Sequence, residues 1–161
     1  MSGAAPSFQL LEVSMDDVAV EPLLAGLAAE YTARYGAAIS AEVMAELTAD
    51  ELAPPGGGFV VLQDRGVTVA GGGLRGIGEG RCELKRMWTA PTHRRRGLAA
   101  QVVRALEDLA SRRGYHVVRL ETGPRQPEAI AAYARLGYTR IPVYGGYEEA
   151  VAFERRLPAR G

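Results

Sequence analysis

The chain is poor in cysteine, lysine and histidine. Its single cysteine, Cys82, cannot close an internal disulfide, and no Cys/His set is spaced for a metal ion, so no metal is expected. Cys82 reads as a small core residue. No long apolar run exists: the longest, Leu23 to Ala29, is interrupted by Gly26 and is far too short to span a bilayer. Met1 to Phe8 has neither a basic residue nor a signal-type apolar core, so a soluble chain kept in the cytoplasm is expected. Of 19 basic residues only Lys85 is a lysine, and the two histidines, His93 and His116, read as surface residues. Neither histidine stands as a partner to Cys82, so no covalent nucleophile is evident.

What is present fits one globular domain over residues 1–161, with 47% hydrophobic and 24% charged residues. The net charge of zero hides a split. Residues 1–80 carry eleven acidic residues and three arginines, net −8; residues 81–161 carry eight acidic and sixteen basic residues, net +8. The split suggests different partners for the two halves: a polyanion for the basic half, a cation such as a protonated amine for the acidic half.

Periodicity and breakers give the order β-α-α-β-β-β-α-β-α-β-β. Phe8 to Val13 reads as a strand. A helix capped by Asp16 or Asp17 runs to about Arg34, and Ser40 caps a second helix bearing Val43, Met44 and Leu47. Strands follow at Phe59–Leu62, Thr68–Leu74 and Cys82–Thr89; Gly71 to Gly73 suggest a close approach by another backbone. Leu98 to Arg113 is the strongest helix, with a stripe of Leu98, Val102, Val103, Leu106 and Leu109 stopped by Gly114. Strand Val117–Glu121, a helix bracketed by Pro127 and Gly137, and strands Tyr138–Val143 and Ala150–Glu154 complete a mixed α/β domain.

The stretch Thr92-His93-Arg94-Arg95-Arg96-Gly97-Leu98-Ala99 joins a strand to the amino end of the long helix. Helix amino ends present unpaired N–H groups and partial positive charge, and so bind phosphate. Gly97 permits close backbone approach, and three arginines add forked donors. The lysine-serine/threonine ending of a Walker loop is missing, as are the repeated glycines of a dinucleotide fingerprint.

Arg94-Arg95-Arg96-Gly97-Leu98-Ala99 resembles the Gln/Arg-x-x-Gly-x-Gly/Ala signature of the GNAT superfamily of acyl-CoA N-acyltransferases. The order around it is similar over residues 59–155. The resemblance implies a mostly antiparallel sheet with a splayed central strand and acetyl-CoA as acyl donor, its diphosphate on Arg95, Arg96, Gly97, Leu98 and Ala99 with Arg94 framing the turn. It also implies strand-like contacts from Met87, Trp88 and Thr89 to the pantetheine arm. Gln126 to Tyr133 looks like the family's Asn-x-x-Ala-x-x-x-Tyr helix, with Gln126 in place of Asn as a cofactor contact and Tyr133 as general acid for the leaving thiol. On its residues alone Tyr133 equally suits a core stripe with Ile130 and Leu136.

Acyl transfer requires an amine to lose a proton, which for an alkyl amine of pKa about 10.4 costs roughly 4–5 kcal/mol at neutral pH. Glu83 lies eleven residues before Arg94, a spacing similar to that of the catalytic glutamate in histone-acetylating members, and is the first base candidate. Strand alternation, without a bulge, puts it on one face with Lys85 and Met87. An ion pair with Lys85 or an arginine is the structural alternative, and Glu121 or water could serve instead. Backbone N–H groups near Met87 and Trp88 would hold the oxyanion in a direct, ternary-complex transfer.

Acceptor contacts are expected from Tyr31, Tyr35, Glu121 and Tyr147, and Arg34 could meet a carboxylate. The acceptor is a small-molecule, amino-acid or peptide amine, and a homodimer stays open. A non-catalytic acyl-CoA sensor would dispense with Tyr133 and Glu83. A nucleic-acid binder would need aromatics interleaved with Arg94 to Arg96, which are missing, so neither nucleic acid nor membrane is expected as a partner.

Overall fold

The computed structural model describes residues 8–159. Seven strands, β1 (Phe8–Val13), β2 (Gly58–Asp64), β3 (Val67–Gly78), β4 (Arg81–Thr89), β5 (Val117–Thr122), β6 (Thr139–Ile141) and β7 (Val151–Arg156), form one sheet in the order β1-β2-β3-β4-β5-β7-β6. Four helices cover it: α1 (Glu21–Tyr35), α2 (Ala37–Ala45), α3 (Leu98–Arg112) and α4 (Pro127–Arg135). Every strand pair is antiparallel except β4–β5. The expected element order and the mixed, mostly antiparallel sheet are therefore present.

Two apolar layers hold the sheet. On one face Leu98, Val102, Leu106 and Leu109 of α3 pack with Cys82, Leu84 and Val118. On the other, Leu23 and Leu27 of α1 pack with Phe59, Val61 and Trp88. Each fully buried leucine contributes about 1.5–3 kcal/mol relative to exposure. Glu107 is buried within the α3 layer and fully engaged: it accepts from Arg104 (2.7 Å), Arg155 (2.7 Å) and the Tyr138 hydroxyl (2.8 Å). That cluster ties α3 to β7 and to the turn after α4.

Several expected boundaries move. Asp17 caps a short 3-10 turn at Val18–Val20, accepting from the Ala19 N–H, and α1 begins only at Glu21. Ser40 caps nothing; it lies inside α2, and its hydroxyl donates to the Ala28 carbonyl (3.0 Å), fastening α2 to α1. The expected strand Tyr138–Val143 shortens to Thr139–Ile141, and the one expected over Thr68–Leu74 lengthens to Val67–Gly78. Gly71 meets the expected backbone, since a Cβ there would lie 2.6 Å from the Val60 carbonyl oxygen, whereas Gly72 and Gly73 make room for the side chains of Met87 and Phe59.

Strand alternation fails inside β4. Gly73 pairs with Lys85 but Gly71 with Trp88, so Arg86 and Met87 together oppose Gly72. This bulge is marked by a left-handed Arg86 (φ 58°). Met87 consequently packs with the α3 layer, while Trp88 joins Lys85 and Glu83 on the α1 face. The expectation that Met87 shares a face with Glu83 is corrected for that reason.

Trp88 lies directly on Gly26 of α1, where a Cβ would come within 2.6 Å of three indole atoms. Gly26→Ala is expected to destabilise the fold by about 1–3 kcal/mol through overpacking. Trp88 is the only tryptophan, so its fluorescence during thermal unfolding reports the shift directly.

Candidate active site

β4 and β5 run parallel for only three pairs, Arg81–Val117, Cys82–Val118 and Glu83–Arg119. Beyond Glu83 and Arg119 they part, leaving an edge of each strand without a backbone partner. A cleft of about 120 Å³ opens there, lined by Leu84 and Met87 from β4, Leu120 and Glu121 from β5, Tyr31 from α1 and Tyr133 from α4.

At one end of the parted strands stands the basic turn. Arg95 (φ 64°) and Gly97 (φ 76°) are both left-handed, and the first helical bond of α3 is donated by Gln101 to the Gly97 carbonyl (3.2 Å). The N–H groups of Leu98, Ala99 and Ala100 therefore precede the helical ladder, and no side chain caps them. Arg95 and Arg96 are exposed and have no ionic partner among the described residues. Arg94 differs: its guanidinium donates to the Thr89 carbonyl (3.2 Å) and pairs with Glu30 of α1, bracing the turn. Leu98 turns its side chain into the core, so only its backbone faces outward. Trp88 does the same: its indole lies in the α1 layer, away from the cleft.

Tyr133 is buried in the cleft wall, its ring edge-on to Tyr138 at 5.7 Å. Its hydroxyl has no hydrogen-bond partner among the described residues, and burial, then the nearby Tyr31, raises its pKa. The phenol thus stays protonated across neutral pH. Gln126 precedes α4, and its Oε1 accepts from the Thr122 hydroxyl and the Gly123 N–H (both 2.9 Å), leaving its amide donors without a partner among the described residues. Cys82 is fully buried, and burial pushes its thiol up to about 12, which holds it protonated and unreactive.

On the α1 face a second cavity of about 650 Å³ adjoins the cleft, and Glu46, Lys85 and Glu121 line both. Glu83 borders this cavity with every side engaged. Its Oε1 faces Arg75 (3.1 Å) and Lys85 (3.6 Å), and its Oε2 accepts the Tyr144 hydroxyl (2.6 Å). The ion pair offered as the structural alternative for Glu83 is therefore present. Glu121 accepts from the backbone N–H groups of Tyr144 (3.3 Å) and Gly145 (3.2 Å), and the Tyr147 hydroxyl donates to Glu46. The 144–147 strap thus engages all three acidic residues of the cavity.

The site brings together Tyr31, Met87, Glu121, Gln126 and Tyr133 in the cleft, with Glu83 and Tyr147 in the adjoining cavity. It leaves out Tyr35, which faces the Gly123 loop with Arg125 over its ring, and Arg34, which donates to the Arg125 carbonyl (2.7 Å). Arg34 is a bracket between α1 and the loop before α4, not a group facing an acceptor. The sequence points to Tyr144 only as part of the Tyr144-Gly145-Gly146-Tyr147 segment, which is expected to contribute to acceptor choice, and it carries no signal for Arg119. Among the described residues no group of three or more His, Cys, Asp or Glu is placed to hold a metal ion.

The profile of the Acetyltransferase (GNAT) family matches residues 24–138, most of the chain. The chain belongs to the GNAT acetyltransferase family. It is 34% identical over 106 residues to the N-acetyltransferase YjgM of Escherichia coli, covering 64% of each chain. It is 32% identical over 102 residues to an IAA acetyltransferase of Azospirillum brasilense, covering 63% of this chain and 67% of that one. A Klebsiella pneumoniae structure described as an acyl-CoA N-acyltransferase superposes with a TM-score of 0.75 at 27% identity, over 93% of this chain and 97% of that one. The PaiA N-acetyltransferase of Thermoplasma acidophilum, solved with coenzyme A, shares the fold at TM-score 0.76 and 15% identity, over 93% and 99%.

This GNAT turn has features that suit a diphosphate: unpaired N–H groups, a helix amino end and two guanidinium groups without an ionic partner among the described residues. Gly97 has open space around it, so the penalty for a side chain there is its positive φ, about 1–2 kcal/mol. Gly97→Val is expected to reshape the turn and weaken coenzyme A binding at least tenfold by calorimetry, while affinity for a pantetheine fragment without the diphosphate stays unchanged.

Proposed function

We propose that the protein transfers the acetyl group of acetyl-CoA directly to a primary amine within a ternary complex. The observation that carries this reading is the parting of β4 from β5 between an anion-ready turn and an adjoining cavity bordered by Glu46, Glu83 and Glu121. That arrangement admits a donor and an acceptor from different sides. In this reading Arg95, Arg96 and the N–H groups through Ala99 hold the diphosphate, and Met87 and Thr89 lie along the pantetheine path. Bound acetyl-CoA supplies the thioester carbonyl that the amine attacks.

The chain's own residues do the rest. The unpartnered β4 edge beyond Glu83 supplies N–H groups to the carbonyl oxygen as charge develops on it. The Tyr133 hydroxyl, protonated and otherwise unbonded, donates to the departing thiolate, whose pKa lies near a cysteine's, about 8.5. Glu121 is favoured as the group receiving the amine proton, because it lines both cavities. Glu83 can take that proton only by displacing Arg75, Lys85 or Tyr144, or through the Tyr144 hydroxyl. Cys82 is held protonated in the core, which favours direct transfer over an acyl-cysteine.

A non-catalytic acyl-CoA sensor has no use for a second cavity beside the cleft or for an uncommitted phenol. Thiol release from acetyl-CoA against a panel of amines tests the enzyme reading, and binding of acetyl-CoA without thiol release for any amine would overturn it.

Tyr133→Phe is expected to slow single-turnover transfer about 10²–10⁴-fold while preserving coenzyme affinity and thermal stability. Since Tyr133 titrates above the usual phenol value of 10.0, the pH–rate profile should rise with amine deprotonation and show no fall from this group below pH 10. Glu121→Gln and Glu83→Gln, compared at low pH where the amine is most protonated, separate the two bases; the larger loss is expected from Glu121→Gln.

A further inference from the structure

Both signs of charge line the acceptor cavity. Its mouth toward the cleft carries the carboxylates of Glu46 and Glu121 together with Lys85, which faces Glu83 at 3.6 Å, whereas the guanidinium groups of Arg75, Arg81 and Arg119 line only its far part. Two of these three are committed. Arg75 binds Glu83 and Glu51, and Arg81 donates to Glu79 (2.9 Å) and to the Gly78 carbonyl (3.5 Å).

Arg119 is committed at one edge only. Its Nε pairs with Glu154 (2.8 Å), but its two Nη groups make no hydrogen bond among the described residues. The guanidinium carbon sits 5.3 Å from the centre of the Tyr144 ring, an aromatic contact that orients the fork. Its side chain is only 21% exposed, and it borders the cavity rather than open solvent. A guanidinium held by one edge and one face, with its outer donors free, presents the geometry that grips a carboxylate through two parallel bonds.

Glu121 follows Arg119 by two residues on β5, which puts both on one face about 6–7 Å apart along the strand. The strand thus sets an anion receptor beside a cation receptor, with the cation receptor nearer the cleft. We propose, resting on the acyl-transfer reading above, that the acceptor is an amino-carboxylate: its amine faces Glu121 at the mouth of the cleft and its carboxylate is clamped by Arg119 on Tyr144. Arg119 is then the residue that selects the substrate class. The two free Nη groups of this single guanidinium match the two oxygens of one carboxylate. The 650 Å³ cavity has room for an amino acid or a short peptide.

The test compares L-amino acids and β-alanine with their carboxamides, and includes O-phosphoethanolamine, on the parent protein. Thiol release from acetyl-CoA gives kcat/KM, and calorimetry on the coenzyme-loaded protein gives affinity without turnover. At least one acid should exceed its carboxamide by about tenfold or more, the loss expected when a charge-assisted pair is removed. In Arg119→Gln the acid-to-amide ratio should collapse toward one. Arg119→Lys, which keeps the charge and can still meet Glu154, should leave the ratio intermediate because the fork is gone.

Amines acetylated without preference for the acid overturn the amino-carboxylate assignment and leave acyl transfer standing. If no amine is acetylated, acyl transfer fails, and calorimetry still decides: equal affinity for acid and amide overturns the carboxylate clamp. A stronger response to O-phosphoethanolamine than to β-alanine also overturns it. An unchanged acid-to-amide ratio in folded Arg119→Gln removes Arg119 as the selecting residue.

Discussion

The structure turns on one row of side chains across the sheet. Arg75, Glu83, Arg119 and Glu154 occupy paired positions on β3, β4, β5 and β7, alternating in charge. Arg75 reaches Glu83 and Arg119 reaches Glu154, so each half of the row closes on itself. Between the halves, Glu83 and Arg119 mark the last pair of β4 and β5 before the strands part. Tyr144 spans that seam, donating its hydroxyl to Glu83 and stacking its ring against Arg119. The partly exposed Arg119–Glu154 pair contributes about 0–1 kcal/mol, and at the buried Glu83 the cost of desolvating the charge offsets much of the attraction of its pair. The part of both pairs is positional: they fix which row of the ladder is last, and hence where the cleft begins.

The bulge one step further along β4 completes the opening. By admitting Arg86 as an extra residue it turns Met87 toward α3 and Trp88 toward α1. Arg86 itself donates to the carbonyls of Met44 (2.8 Å) and Leu47 (3.3 Å), capping the chain at the end of α2. A non-glycine residue at φ 58° is costly for the backbone, and these bonds to α2 hold it there. The bulge and the docking of α2 are therefore one feature, and α2 in turn brings Glu46 to the mouth between the two cavities.

What the sequence showed best was local. The Arg94–Ala99 turn is a contiguous segment whose chemistry follows from backbone geometry, and the stripe of α3 follows from helical period. What it hid was set by contacts between distant segments. No pattern in Cys82 to Thr89 marks Arg86 as left-handed, because asparagine or glycine would be the usual sign. Ser40 looks like a cap by type, but the Ala28 carbonyl, twelve residues away, recruits it. Tyr144 lies 61 residues from Glu83 and Arg34 lies 91 from its acceptor on Arg125, separations that local periodicity cannot span. The charge split misled in part. Glu30 pairs with Arg94 and Glu12 with Arg112, so much of the acidic half meets the basic half within the fold rather than an outside cation.

Two neighbouring tyrosines show how this fold separates structure from chemistry. Tyr133 and Tyr138 pack edge to face in one layer, and burial raises the pKa of both phenols. Tyr138 donates its proton to Glu107, so its hydroxyl belongs to the cluster that joins α3 to β7. Tyr133 has no such partner among the described residues, and it lines the cleft instead. Packing accounts for its ring but not for its oxygen. The oxygen lies in the wall of the cleft where β4 and β5 separate, and a ligand entering that gap is the partner the rest of the fold withholds.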